Sequence, residues 1–338
     1  VNPLERVRIG RTDVSVTRLG MGTSCLGELF QAVSEDAAIA TVHTALGLGV
    51  NLFDTAPLYG HTKAEMRLGK ALAEVPRDSY VLATKVGRLL VPAEDPDSTW
   101  FVNLPPFAPV FDFSYDGVMR SFESSLKRLG LDRIDIVHIH DPEEEGAFEQ
   151  AMVGAYPALA KLRAEGVIRA VSVGVGDAAL LVRFAKAGDF DCFLMAGRYT
   201  LLDHRALAEL LPTCERKGIS IIVGGPYNSG ILATGARAGA KFDYAEPPEG
   251  VRSRVAAIEA VCARYSVPLP AAALQFCAAH PAVASVIPGA KSAEEIDRNF
   301  RMFAHPIPAG LWTELKQLGY VPREAPVPGA GETAVHGD

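Results

Sequence analysis

The sequence predicts an α/β chain folded as a single (β/α)8 TIM barrel with long loops on its C-terminal face. Three observations carry this. Short apolar runs, poor in charge, alternate with amphipathic segments eight times along the chain, and such runs suit strands buried on both faces of a parallel sheet. No shift in composition divides the 338 residues into two domains. No Gly-x-Gly-x-x-Gly follows the first strand, although a doubly wound dinucleotide-binding sheet wants one there.

In chain order the strands are expected in RLGMGT (18–23), NLFDT (51–55), YVLATK (80–85), IDIVHIH (134–140), RAVSVG (169–174), CFLMAG (192–197), SIIVGG (220–225) and ASVIPG (284–289). The helix signals between them are local. SEDAAIATVHTALGLG opens on Ser34 with acids in its first turn and closes at Gly49, a capped start and a glycine stop. SYDGVMRSFESSLKRLG places Val118, Phe122, Leu126 and Leu129 at helical spacing before Gly130, with Tyr115 and Asp116 at its start. VRSRVAAIEAVCARY and SAEEIDRNFRMF read as helices too. Two connections are longer than turns: 86–115, dense in proline and aromatics, and 226–251, rich in glycine and proline. Both follow strands, so in a barrel they stand where active sites are built and read as functional lids. Residues 1–321 form the one domain on this reading, and the apolar-poor segment 322–338 is a frayed tail.

Composition excludes several classes. A net charge of −7 with no basic run argues against nucleic-acid binding. No apolar stretch approaches the roughly 18 residues that a membrane span needs. The start VNPLERVRIG lacks the apolar core of a signal peptide. The five cysteines are scattered and show no Cys-x-x-Cys spacing, so neither a disulfide framework nor a zinc knuckle is expected, and the compartment is a reducing one, the cytoplasm.

Groups able to do chemistry collect at strand ends. Asp54 closes the second strand with Tyr59 five residues on, Lys85 closes the third, and His140 closes the fourth. In a barrel these converge on one mouth. The stretch VHIHDPEE also raises a metal site. Residues two apart on a strand share a face about 6.6 Å apart, so His138 is expected one layer below His140, as a core histidine satisfied by a polar partner. The other histidines fall in helices, loops or termini, and VSVGVG, FLMAG and IIVGG offer no further ligand. No metal is expected.

NLFDTAPLYGHTKAEMRLGKAL, LATKVG, RSFESSLKRLGLDRIDIVHIHDP and VIPGAKSAEEIDRNFRMF together resemble the signatures of the aldo-keto reductase family, over residues of about 6 to 303. Within it, RLGMGTSCLGELF, HIHDPEE, AGRYTLLD and GGPYNSGIL look most like the bacterial branch that oxidises sugars at C1, the D-threo-aldose and L-fucose dehydrogenases, to which an aldo-keto pyridoxal 4-dehydrogenase also belongs. The resemblance implies reversible hydride transfer to a nicotinamide, with Tyr59 moving the proton, Lys85 favouring its phenolate, Asp54 holding Lys85 charged, and His140 orienting the substrate oxygen.

For the cofactor, VIPGAKSAEEIDRN is a strand end, a glycine turn and a helix N-terminus, which suits a pyrophosphate. The resemblance sets Gly289, Lys291, Glu295 and Asn299 along the adenosine half. NADP-users of the family carry lysine and arginine where Gly289 and Glu295 stand here, so NAD is expected over NADP, with Lys291 as the counterweight. Gly22 and Thr23 are expected at the nicotinamide ribose, and Tyr227, Asn228 and Gly230 at the pyrophosphate. Leu89, Leu90, Trp100 and Phe107 are expected to wall the substrate pocket. Gly174, Val175, Ala196 and Gly224 replace the family's carboxamide-holding and nicotinamide-stacking side chains, with backbone groups, Tyr199 or Tyr227 as substitutes. The implied reaction is oxidation of a small sugar or lactol to its lactone. Formation of 4-pyridoxolactone and general aldehyde or ketone reduction are alternatives. A nicotinamide-binding accessory subunit is a different class, and no docking segment supports it. A homo-oligomer is neither required nor excluded.

Overall fold

The computed structural model describes residues 1–329, and every expected strand is present. β1 (Arg6–Arg8) and β2 (Ser15–Thr17) form an antiparallel pair. The eight-stranded sheet comprises β3 (Met21–Gly22), β4 (Leu52–Asp54), β5 (Val81–Val86), β8 (Ile136–His140), β9 (Ala170–Val175), β10 (Cys192–Ala196), β11 (Ser220–Gly224) and β12 (Val283–Ile287). β6 (Arg88–Pro92) and β7 (Phe107–Phe111) make a separate hairpin. Each barrel strand lies parallel to its neighbour in sequential order. Parallel bridges Leu19–Val286 and Gly22–Gly289 join the first strand to the last and close the barrel. Glycine is needed at this seam, because a Cβ on Gly20 would stand 2.7 Å from Ile287 Cγ2.

The helices form as their local signals dictate. Ser34 accepts from the Ala37 N–H to start Glu35–Gly47, and Ser114 accepts from the Gly117 N–H to start Tyr115–Leu129. Each such cap contributes about 1 kcal/mol. Gly130, in the left-handed region at φ 65°, ends the second. Leu68, Leu72, Val118, Phe122 and Leu129 are buried in the cluster between helices and sheet. No described helix is long and apolar enough to cross a membrane.

Three local features were not anticipated. The β1–β2 pair brings buried Ile9, Val14 and Val16 against Leu52, Val81, Ile136, Ala170 and Ala284 of the barrel strands, closing its floor with apolar packing. The 86–115 connection folds back on itself in register from Arg88–Phe111 to Pro92–Phe107. Its prolines are tolerated because the two-stranded hairpin has free edges. Of the tail expected from 322, the part up to Gly329 is packed: Ala325 is buried, and Lys316 Nζ donates to the Arg323 and Ala325 carbonyls. The remainder lies outside the described residues.

Candidate active site

Inside the barrel the side chains change character with height. Above the apolar floor comes a buried polar layer from four successive strands: Asp54, Lys85, His138 and Ser172. Lys85 pairs in register with His138, and His138 with Ser172, so all three point inward together. Lys85 Nζ donates to Asp54 Oδ1 at 2.5 Å and to the Thr55 carbonyl at 2.8 Å. The same ammonium lies 4.7 Å from the Tyr59 ring centroid, and the His140 ring meets that ring edge-on with centroids 6.1 Å apart. Tyr59 is held by its backbone. Gly27 packs so closely that a Cβ there would stand 2.6 Å from the Tyr59 carbonyl carbon, and Gly60 turns at φ 62°.

These groups open on a cavity of about 580 Å³, a size usual for a small-molecule site. Asp54, Tyr59, Lys85 and His140 all line it. So do Gly22, Trp100, Tyr227, Asn228, Gly230, Gly289, Lys291, Glu295 and Asn299. Thr23 does not: it is fully buried, and its N–H and Oγ1 both donate to the Asp54 carbonyl, which steadies the strand end instead. Leu89, Leu90 and Phe107 are also absent from the wall, because their segment pairs with itself as the hairpin. Only the hairpin's base, Arg88, and its far loop, Trp100 and Phe101, reach the cavity. Tyr199 is ruled out as a carboxamide partner, since it is buried against Phe276. Tyr227 lines the cavity with its hydroxyl donated to Asn299 Oδ1 at 2.9 Å.

Several lining residues were missed. Phe30 and Tyr244 join Trp100, which was expected, in an aromatic wall, with Tyr244 at 6.1 Å and 5.1 Å from the Phe30 and Trp100 rings. Near His140 stands a polar wall, in which Arg88 Nη2 donates to Asp141 Oδ2 at 2.7 Å and that oxygen lies 3.4 Å from His140 Nε2. Arg198 engages Asp243 at 2.8 Å beyond it. The cofactor segment adds Arg298, whose Nη2 is 3.9 Å from Glu295 Oε1. Asp141 and Arg298 were visible within the quoted motifs. The aromatic wall comes from three separate loops and has no contiguous signature.

Burial sets the protonation states. Burial pushes the Tyr59 phenol well above its ordinary value, with Asp54, Tyr244 and Asp141 adding to the rise and Arg88 opposing it. The neighbouring ammonium therefore does not leave a standing phenolate. Burial, then Arg88, Lys85 and His138, hold the His140 imidazole well below its usual range and neutral. Burial alone would raise the Asp54 carboxyl, but Lys85 and His138 more than offset it and keep it low. Among the described residues no three His, Cys, Asp or Glu side chains are grouped to hold a metal.

The cavity also fits an extended cofactor. Gly174, Val175, Gly176, Gly224 and Gly225 give one side of it almost no side-chain bulk, and a Cβ on Gly224 would already crowd Leu194 at 3.2 Å. Gly289 is closely packed too, since a Cβ there would meet Cys25 Sγ at 2.9 Å and that side chain would have to shift.

The parallel barrel thus joins a buried lysine–aspartate pair to a tyrosine and a neutral histidine at its mouth. Residues 18–319 match the Aldo/keto reductase family, and the chain belongs to that family. It is 39% identical to a pyridoxal 4-dehydrogenase of Microbacterium luteolum, covering 94% of this chain and 98% of that one. It is 38% identical to a D-threo-aldose 1-dehydrogenase of a Pseudomonas species, covering 91% and 96%. The holo form of an aldo-keto reductase from Bacillus halodurans superposes with a TM-score of 0.74 at 28% identity, covering 93% and 96%.

Proposed function

We propose that this oxidoreductase converts a cyclic hemiacetal, an aldose in its ring form, to the lactone with NAD as the acceptor. The observation that carries the reading is the convergence of Tyr59, Lys85, Asp54 and His140 on a cavity that is aromatic on one wall and ionic on the other. Aromatic rings accept the C–H face of a sugar, while guanidinium and carboxylate groups pair with its hydroxyls.

The neutral His140 imidazole orients the substrate hydroxyl, and Tyr59 takes the hydroxyl proton as the C–H bond at the same carbon breaks. A bound nicotinamide supplies the hydride acceptor. Loss of the proton from the lactol hydroxyl and of hydride from its carbon leaves the lactone directly. Because burial holds the Tyr59 phenol protonated, the fraction able to accept a proton grows with pH. Oxidation is expected to rise through the neutral and alkaline range while carbonyl reduction falls.

On this reading Gly289, Lys291, Glu295 and Asn299, which all line the cavity, would hold the adenosine half, and Tyr227, Asn228 and Gly230 the pyrophosphate. Glu295 Oε2 accepts from the Lys291 N–H at 3.1 Å, and its other oxygen lies 3.6 Å from Lys291 Nζ. A 2′-phosphate would have to displace this carboxylate from both cations nearby, which supports NAD over NADP. The five cysteines are free and four are buried, which supports a reducing, cytoplasmic setting. A second reading is favoured by the aromatic wall itself: the flat ring of pyridoxal, whose hemiacetal would give 4-pyridoxolactone. The test is an NAD-coupled panel of L-fucose, D-arabinose, L-galactose and pyridoxal with product analysis. One NADH per lactone is expected. An open-chain acid as first product, or aldehyde reduction alone, sinks the proposal.

A further inference from the structure

His138 was expected to be a core histidine with a polar partner; Ser172 is that partner, and Asp54 stands opposite its other ring nitrogen. It is fully buried, its Nδ1 lies 2.7 Å from Ser172 Oγ, and its Nε2 lies 3.1 Å from Asp54 Oδ2. The last contact is within hydrogen-bond distance but too far off line to count as a hydrogen bond, and neither atom has a hydrogen-bond partner among the described residues. Lys85 occupies the other oxygen of Asp54. A buried carboxylate left with one bare oxygen is costly, and the nearest available donor is the His138 ring. Ser172 decides the tautomer. With the ring proton on Nε2, facing Asp54, Nδ1 accepts from the Ser172 hydroxyl at 2.7 Å, and the competing acceptor of that hydroxyl, the Val173 carbonyl, is at a long 3.4 Å.

We propose that His138 is a positioning residue: through a tautomer fixed by Ser172 it holds the free oxygen of Asp54, and so keeps Lys85 aimed at Tyr59. The row Ser172, His138, Asp54, Lys85, Tyr59 then runs from β9 across the barrel interior to the cavity. This rests on the reading of Tyr59 as the proton-transfer group. The groups that face His138 are Asp54, Lys85, His140, Ser172 and, in register with Ser172, the buried thiol of Cys192. Burial lowers the His138 imidazole and Asp54 opposes this, and burial pushes the Cys192 thiol up to about 12. Both remain neutral across the working range.

Two measurements test it. The first needs no turnover: long-range proton–nitrogen correlation on chain labelled with ¹⁵N-histidine, the His138 signal being the one lost in His138→Gln. An Nε2–H tautomer at neutral pH is expected, and an Nδ1–H tautomer or a charged ring overturns the proposal. The second is kinetic, with NAD and the fastest substrate of the sugar and pyridoxal panel. His138→Leu should lower kcat by about 10- to 100-fold, the scale of a slightly misplaced reactive group. It should also move the alkaline rise of the rate to higher pH while leaving NAD binding, read by protein fluorescence, unchanged. His138→Gln places an amide N–H where Nε2 stood and should recover most of that loss. Equal behaviour of the two variants, or a lower melting temperature with kcat and pH profile intact, reduces His138 to a packing residue and ends the proposal. If His138→Leu does not fold, Ser172→Ala decides: a mixed tautomer with reduced kcat supports the row, and no change in either refutes it. Should Tyr59→Phe keep its turnover, the functional reading falls while the tautomer result stands. Should Tyr59→Phe be dead and the His138 variants normal, only this proposal falls.

Discussion

Two lysine–carboxylate pairs line the same cavity and differ in almost every physical respect. Lys85 and Asp54 meet at 2.5 Å with side chains 1% and 3% exposed. Lys291 and Glu295 stand 3.6 Å apart, one helical turn from each other, at 41% and 27% exposure. The first pair is carried on two barrel strands, and the rest of the polar layer surrounds it. The second sits at a helix start with Arg298 nearby. Depth decides what each can do. A buried pair fixes geometry and must stay whole, because removing one partner strands a charge away from water. A half-exposed pair is screened, contributes little to stability, and is free to discriminate between ligands.

The contrast can be broken most severely at its catalytic end. Tyr59→Phe removes the proposed proton carrier and leaves the cavity's shape, so kcat is expected to fall about 10²- to 10⁴-fold with NAD binding retained. Retention of more than about a tenth of the rate would show that proton transfer runs through another group.

Next in size is Lys85→Met, which leaves Asp54 buried and unpaired. Besides abolishing turnover it should cost about 3–5 kcal/mol in urea unfolding, the penalty for breaking a buried pair from one side. A loss below about 1 kcal/mol would mean water reaches Asp54 and the depth argument is wrong.

At the exposed pair the expected effects reverse in kind. Glu295→Arg should change stability by less than about 1 kcal/mol. It should nonetheless shift the NADP-to-NAD ratio of kcat/KM about tenfold toward NADP, roughly one charge-assisted hydrogen bond discounted for solvent. An unchanged ratio would assign coenzyme choice to Lys291 and Arg298.

The smallest effect is the pH dependence of stability. Burial lowers the His138 and His140 imidazoles, and that of His204 to about 4. Unfolded histidines titrate near about 6.5, so below that pH the unfolded chain binds protons the native chain refuses. This contribution is complete above about 6.5 and is lost as pH falls from there toward 4. A melting temperature that stays flat between pH 7 and 5 would contradict it, and His204→Gln should flatten part of the slope.

The strand-end groups that meet at the cavity were legible because they are written in strand periodicity. Asp54, Lys85 and His140 each close an apolar run, and a parallel barrel places such ends at one mouth. Reading failed where a side chain's partner lies on another loop. Leu89, Leu90 and Phe107 looked like pocket residues because they are apolar and follow a strand, yet the hairpin takes them away. Phe30 and Tyr244 are 214 positions apart in the chain and share a wall only because the barrel brings their loops together. Thr23 was read as facing the cofactor, but two hydrogen bonds to the Asp54 carbonyl turn it inward.

The sequence by itself determined the eight strands, the capped helices and the residues at the strand ends, since these depend on spacing and on neighbours a few positions away. Only the tertiary structure decided that His138 of β8 reaches past Lys85 of β5 to Asp54 of β4, and that Ser172 stands behind it. Those contacts depend on which side chains the closed barrel forces to share one dry interior layer. Closure is a property of all eight strands together, and no local stretch of sequence contains it.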